Sequence, residues 1–127
     1  MSKVNIVGLD HLQLAMPAGE EDKARHFYGD LLGLTEVNKP EPLASRGGCW
    51  FKGEYVTVHL GVMKDFTPAT KAHPGFQVSD LIACQTFLSE AGVEVLPDDS
   101  IPEVGRCHIC DPFGNRIELI QQGDVFP

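Results

Sequence analysis

A β-α-β-β-β pattern written twice along a chain of 127 residues is the feature that most restricts how this sequence can fold. In the first copy, Leu9 to Ala15 alternates as a strand does, with Leu12 and Leu14 on one face and His11 and Gln13 on the other. Glu20, Glu21 and Asp22 then bring acid to a helix N-terminus, where the backbone dipole favours it. Ala24, Phe27, Tyr28 and Leu31 recur at helical spacing and Gly33 supplies a C-cap, which predicts a helix over Glu20 to Leu32. Strands follow at Leu34 to Val37, Gly48 to Lys52 and Tyr55 to Val62. The last of these turns Val56, Val58, Leu60 and Val62 toward the core and Tyr55, Thr57 and His59 away from it.

After a connector over Met63 to Ala72 the pattern restarts. His73 to Val78 is a strand with Phe76 and Val78 inward and His73 and Gln77 opposite. Ser79 or Asp80 caps a helix carrying Leu81, Cys84, Phe87, Leu88 and Ala91, and Gly92 ends it. Three further strands are expected at Val93 to Leu96, Arg106 to Cys110 and Arg116 to Gln121, the last launched by the turn chemistry of Asp111-Pro112-Phe113-Gly114-Asn115. His11 answers to His73, Phe27 to Phe87, Gly33 to Gly92 and His59 to Glu118, at an interval of roughly 60 residues.

The repeat also sorts faces. The first and last strands of each half put aliphatics on the helix-packing side and one metal-competent side chain on the other: His11 and His59, then His73 and Glu118. Each alone is either a polar residue on a wet strand face or a ligand. If the open faces meet as a cup, three imidazoles and a carboxylate suit a divalent transition ion such as Zn²⁺, Ni²⁺, Fe²⁺ or Mn²⁺. Gln13, Thr57 and Gln77 share those faces and either line a pocket or are solvated. Trp50, the only tryptophan, is a pocket wall or core. Arg116 shares the Glu118 face and either holds an anionic substrate group or makes a surface ion pair. Cys107 and Cys110 fall on opposite faces of their strand and so are read as buried structural thiols rather than a joint metal grip, and His26 as an exposed helical residue.

Size and charge narrow the partners. An apolar content of 43% is enough for one domain with a real core. A net charge of −8 repels phosphate backbones, which argues against nucleic acid. No apolar run approaches the roughly 20 residues a membrane helix needs, and no signal-peptide core precedes the first strand. A cytoplasmic location and reduced Cys49, Cys84, Cys107 and Cys110 are therefore expected.

Three stretches resemble the vicinal oxygen chelate superfamily: His11-Leu12-Gln13-Leu14-Ala15, Phe27-Tyr28-Gly29-Asp30-Leu31-Leu32-Gly33-Leu34, and Asp111-Pro112-Phe113-Gly114-Asn115-Arg116-Ile117-Glu118-Leu119. That superfamily contains glyoxalase I, fosfomycin-resistance thiol transferases, extradiol dioxygenases, methylmalonyl-CoA epimerase and bleomycin-resistance proteins. The resemblance covers nearly the whole chain. It implies an α+β fold of two paired βαβββ modules, about 5–63 and 72–123 of a single domain over 1–127, forming a cup-shaped mixed β-sheet with helices on the outer faces. It implies metal ligation by His11, His73 and Glu118. His59 stands where glyoxalases often carry glutamate. A metal-dependent, glyoxalase-like lyase or isomerase of a small oxygenated substrate is the leading expectation, with Glu118 both ligand and proton shuttle. Fosfomycin-type thiol transfer, dioxygenation or metal-free drug sequestration of the bleomycin type are the alternatives. Swapped dimers are common in the family among chains of this length, so a homodimer with metal sites drawing on two chains is expected.

Overall fold

The computed structural model describes residues 2–127. It realises the doubled pattern as two four-stranded sheets of identical topology. The first half runs β1 (Leu12–Met16), α1 (Glu21–Ala24) continuing as a π-helical stretch (Arg25–Leu31), β2 (Thr35–Val37), β3 (Cys49–Lys52) and β4 (Thr57–Val62). The second runs β5 (Gly75–Val78), α2 (Leu81–Glu90), β6 (Leu96–Pro97), β7 (Arg106–Cys110) and β8 (Arg116–Gln121). Strand orders are β1-β4-β3-β2 and β5-β8-β7-β6. In each sheet the first and last strands pair in parallel and the remaining pairs are antiparallel. The sheets are mixed and do not close into a barrel, and the fold is α+β.

Burial follows the alternation. Leu14 and Met16 on β1, Val58 and Leu60 on β4, Cys107 and Ile109 on β7, and Ile117 and Leu119 on β8 join one contiguous core with Ala24, Phe27 and Tyr28 from the first helix and Leu81 and Leu88 from the second. Asp80 caps α2, its carboxylate accepting from the Ala83 amide at 3.0 Å. Gly48 is required where β3 begins. Its φ is +81, and a Cβ there would sit 2.1 Å from the Leu60 carbonyl oxygen.

Local departures from the sequence pattern have physical causes. The first helix widens after Ala24, with the Leu32 amide donating to the Phe27 carbonyl five residues back at 2.9 Å. Ala24, Phe27 and Tyr28 still point inward, so side-chain spacing does not reveal the change. The expected strand over Val93 to Leu96 shrinks to Leu96–Pro97 because the helix end claims the backbone: Val93 donates to the Leu88 carbonyl at 2.9 Å, and Gly92 adopts a φ of +87. Of the apolar residues on α2, Leu81 and Leu88 are buried while Phe87 is 50% exposed. Strand β1 starts at Leu12, leaving His11 just ahead of it.

The two halves are fastened at the turn between β7 and β8. Asp111 Oδ1 accepts from the Phe113 and Asn115 amides at 2.9 Å each, as Asx-type turns do. Its Oδ2 accepts from the Tyr28 hydroxyl at 2.7 Å and from Asn115 Nδ2 at 2.9 Å. Asn115, fully buried, also donates to the Ala15 carbonyl on β1 at 2.8 Å and accepts from the connector's Ala69 amide at 3.0 Å. One turn therefore holds the first helix, the first strand and the connector.

Breaking this network should be costly. Asn115→Ala removes the side-chain partners of the Ala15 carbonyl and the Ala69 amide and one of the two donors to Asp111 Oδ2, and is expected to lower stability by about 3 kcal/mol, against about 1–2 kcal/mol for Tyr28→Phe. Burial, reinforced by the Asp111 carboxylate, pushes the Tyr28 phenol far above its ordinary value. A raised folded-state value contributes stability that is intact below the unfolded phenol's value of about 10 and is lost as pH rises beyond it. Urea unfolding from pH 7 to 11 should show that alkaline loss in the wild type and a smaller one in Tyr28→Phe.

Candidate metal centre

Each sheet turns an open face away from the core, and the sequence-predicted residues divide between the two. The first face carries Gln13 on β1, Trp50 on β3, and Thr57 and His59 on β4, with His11 just ahead of β1. The second carries His73 just ahead of β5, Gln77 on β5, and Arg116 and Glu118 on β8.

On the first face three rings stack. Trp50 lies 3.9 Å from His59 with 4° between planes, and His59 lies 4.2 Å from His11. Trp50 thus stands outside the core, on the open face of the first sheet. Asp10 Oδ2 sits 2.7 Å from His11 Nδ1, so a neutral His11 donates from Nδ1 and keeps Nε2 bare. Desolvation, then the neighbouring His11, lowers the His59 value and keeps that ring neutral.

The second face gathers ligand atoms more tightly. Atoms of His73, His108 and Glu118 all lie within 4.8 Å of one another, the one such group of three among the described residues. His73 Nδ1 is 2.8 Å from the Lys71 carbonyl, an acceptor, so Nδ1 carries the proton. Its Nε2 then presents a lone pair 3.1 Å from Glu118 Oε1, itself an acceptor. Two acceptors so placed need a shared proton or a cation between them. Ligands bound to one ion at about 2.0–2.2 Å can stand this close. Glu118 is buried, which makes an uncompensated carboxylate expensive and a shared cation favourable.

His108 is the member that sequence reasoning missed. It lies directly across from Glu118 in the β7–β8 register. Its Nε2 is 3.0 Å from Asp98 Oδ2, and its Nδ1 is buried without a hydrogen-bond partner. The Ser100 hydroxyl and amide, ahead of His108, hold the Asp98 carboxyl far below its usual range, so it is an ionised acceptor and His108 donates to it from Nε2. The orphaned Nδ1 is then left with a bare lone pair, in a residue that belongs to the His73–Glu118 group. Alternation alone puts Arg106, His108 and Cys110 on one face; what was lacking was the register that sets His108 against Glu118. Arg106 joins the same group, its NH2 3.0 Å from Asp98 and its NH1 3.5 Å from Glu118.

Within one chain the two imidazole pairs do not merge: His11 and His59 stay with Trp50, outside the three-residue group. The donor chemistry of His73, His108 and Glu118 fits a borderline divalent ion of the Zn²⁺, Ni²⁺ or Fe²⁺ kind. A cavity of about 910 Å³, bordered by His108 and Arg116, opens beside the group, and a second of about 690 Å³ touches Gln13 and His73.

The cysteines are free. Cys107 is buried and Cys110 exposed, on opposite faces as expected, so only Cys107 is the buried thiol that was anticipated. Burial pushes the Cys49 thiol up to about 11, which leaves it inert at neutral pH. His26 is exposed, with Asp30 3.4 Å away. No helix among the described residues is long and apolar enough to cross a membrane.

Comparison with known proteins agrees with this architecture. A profile described as the Glyoxalase/Bleomycin resistance protein/Dioxygenase superfamily matches residues 8–119. A crystal structure of a glyoxalase family protein from Bacillus anthracis is 45% identical, covers 94% of this chain and 98% of its own, and superposes with a TM-score of 0.89. The fosfomycin resistance protein FosX from Listeria monocytogenes (17% identity, 97% and 96% coverage, TM-score 0.73) shares the fold. So does lactoylglutathione lyase from Agrobacterium tumefaciens (20% identity, 87% and 92% coverage, TM-score 0.66). No curated protein sequence matches the chain. With the repeat, the paired sheets and this match over most of its length, the chain belongs to the glyoxalase/bleomycin resistance protein/dioxygenase superfamily.

Proposed function

We propose that the protein is a metal-dependent enzyme of the lyase or isomerase type, acting on a small oxygenated substrate at the His73–Glu118 face. The observation that carries this reading is the pair of acceptor atoms, His73 Nε2 and Glu118 Oε1, facing each other at 3.1 Å on a buried carboxylate. A divalent ion held there supplies Lewis acidity toward substrate oxygens and stabilises negative charge as it develops.

The chain's own residues do the rest. The Lys71 carbonyl fixes the His73 ring so that Nε2 points at the site. Glu118 neutralises charge and, when its carboxylate loosens, moves a proton to or from the substrate. Gln13, Trp50 and Thr57 wall the opposite face, and Gln77 borders the His73 side. His11 and His59, held as a stacked pair, complete the donor set when a second copy of the chain brings its first face against the second face of this one. A homodimer then has two equivalent sites. The lactoylglutathione lyase likeness supports the lyase class, and FosX stands for the neighbouring chemistry of the same fold.

Elemental analysis of protein purified without chelator, together with light scattering, tests this. About one transition-metal ion per chain is expected in a dimer, with occupancy falling at least about tenfold in His73→Ala and Glu118→Ala. His11→Ala should lower occupancy without altering the dimer mass. Full occupancy in Glu118→Ala would overturn the assignment, and a monomeric mass in the metal-bound state would overturn the two-chain site.

A further inference from the structure

Arg116 opens β8 on the same face as Glu118, half-buried at the edge of the larger cavity. Among the described residues no carboxylate lies within ion-pair distance of its guanidinium. Its side chain makes one polar contact, NH2 at 3.4 Å from His108 Nε2. That nitrogen already faces Asp98 Oδ2 at 3.0 Å, and Asp98 also takes the Ser100 amide and hydroxyl and the Arg106 guanidinium, the setting of an ionised carboxylate. The Nε2 proton therefore goes to Asp98, and His108 offers Arg116 no lone pair there. A half-buried guanidinium with five donors is left without an acceptor.

One wall of the cavity is apolar. Phe27 and Leu31 from the first helix, Val93 and Leu96 after α2, and Ile109 on β7 line the same cavity of about 910 Å³. The other charges at its rim are paired elsewhere or make no ion pair with this guanidinium. Lys23 pairs with Glu20 at 2.8 Å, Asp22 with Arg25 at 2.9 Å, and Asp111 is consumed by Tyr28 and its own turn. Glu94, also on the lining, makes no ion pair with Arg116.

We propose that this cavity binds a small organic monocarboxylate, with Arg116 gripping the carboxylate and the apolar wall taking the carbon chain. A planar guanidinium matches a carboxylate in a two-point grip and stays charged at any working pH. Charge counting favours a monoanion over a phosphate or phosphonate dianion. The second guanidinium of this sheet, Arg106, is already compensated by Asp98 at 3.0 Å and lies 3.5 Å from Glu118, and Arg25 is held by Asp22 and Glu36. Resting on the metal-dependent reading, this site makes the substrate an organic acid whose carboxylate is anchored at Arg116 while its reacting oxygens reach the His73–Glu118 face. The anion site itself requires no metal.

Calorimetric titration of the metal-free, full-length protein with hexanoate, hexanamide and hexylphosphonate separates the possibilities. Hexanoate should bind, and bind at least about tenfold more tightly than hexanamide or hexylphosphonate. Arg116→Gln should weaken hexanoate by about tenfold or more while leaving hexanamide unchanged, and Arg116→Lys should retain part of the affinity. Equal hexanoate binding by wild type and Arg116→Gln, no hexanoate binding by wild type, or tighter binding of hexylphosphonate would each overturn the proposal. Metal content measured on the same samples keeps the two readings apart. Arg116-dependent hexanoate binding in a protein that never takes up metal sinks the enzyme assignment alone, whereas normal metal uptake with no Arg116 dependence sinks the carboxylate site alone.

Discussion

The buried hydrogen bonds joining Tyr28, Asp111 and Asn115 are what the rest of the molecule depends on. A duplicated chain has two halves, each able to make its own sheet, and the mutual position of those sheets needs a separate constraint. The five-residue turn before β8 supplies it by binding a helix hydroxyl, a β1 carbonyl and a connector amide at once. Apolar contact between the halves adds energy but little direction. The network adds direction, because each donor meets one acceptor at 2.7–3.0 Å and a slip of one residue would bury unpaired groups.

That constraint also sets where chemistry can occur. The helix-packing faces are used up by the shared core, so the polar side chains of these strands are left on the opposite faces of the two sheets. One face assembles a planar stack, the other a carboxylate flanked by two imidazoles and the Arg106 guanidinium, with Arg116 against His108. The guanidiniums differ in kind. Arg106 is locked between Asp98 and Glu118 and serves the local charge balance, while Arg116 lacks an internal counter-ion.

Much of this was legible in the sequence. Strict alternation in Thr57 to Val62 and Arg116 to Gln121 marked strands and sorted their faces correctly, since a half-buried sheet enforces a period of two. Asp111-Pro112-Phe113-Gly114-Asn115 announced a turn, but not that Asp111 and Asn115 would be buried and bridge to residues a hundred positions away, because a turn's sequence carries no record of its distant partners. His108 was invisible for the same reason: its role depends on register across β7 and β8. The π-helical widening after Ala24 leaves the buried side chains in place and so leaves no trace in their spacing.

The stack of Trp50 on His59 has one more consequence. The chain possesses a single indole, and it lies flat against an imidazole on the open face of the first sheet. Its emission is accordingly a native optical reporter, with no background from other tryptophans, of whatever enters or closes over that face.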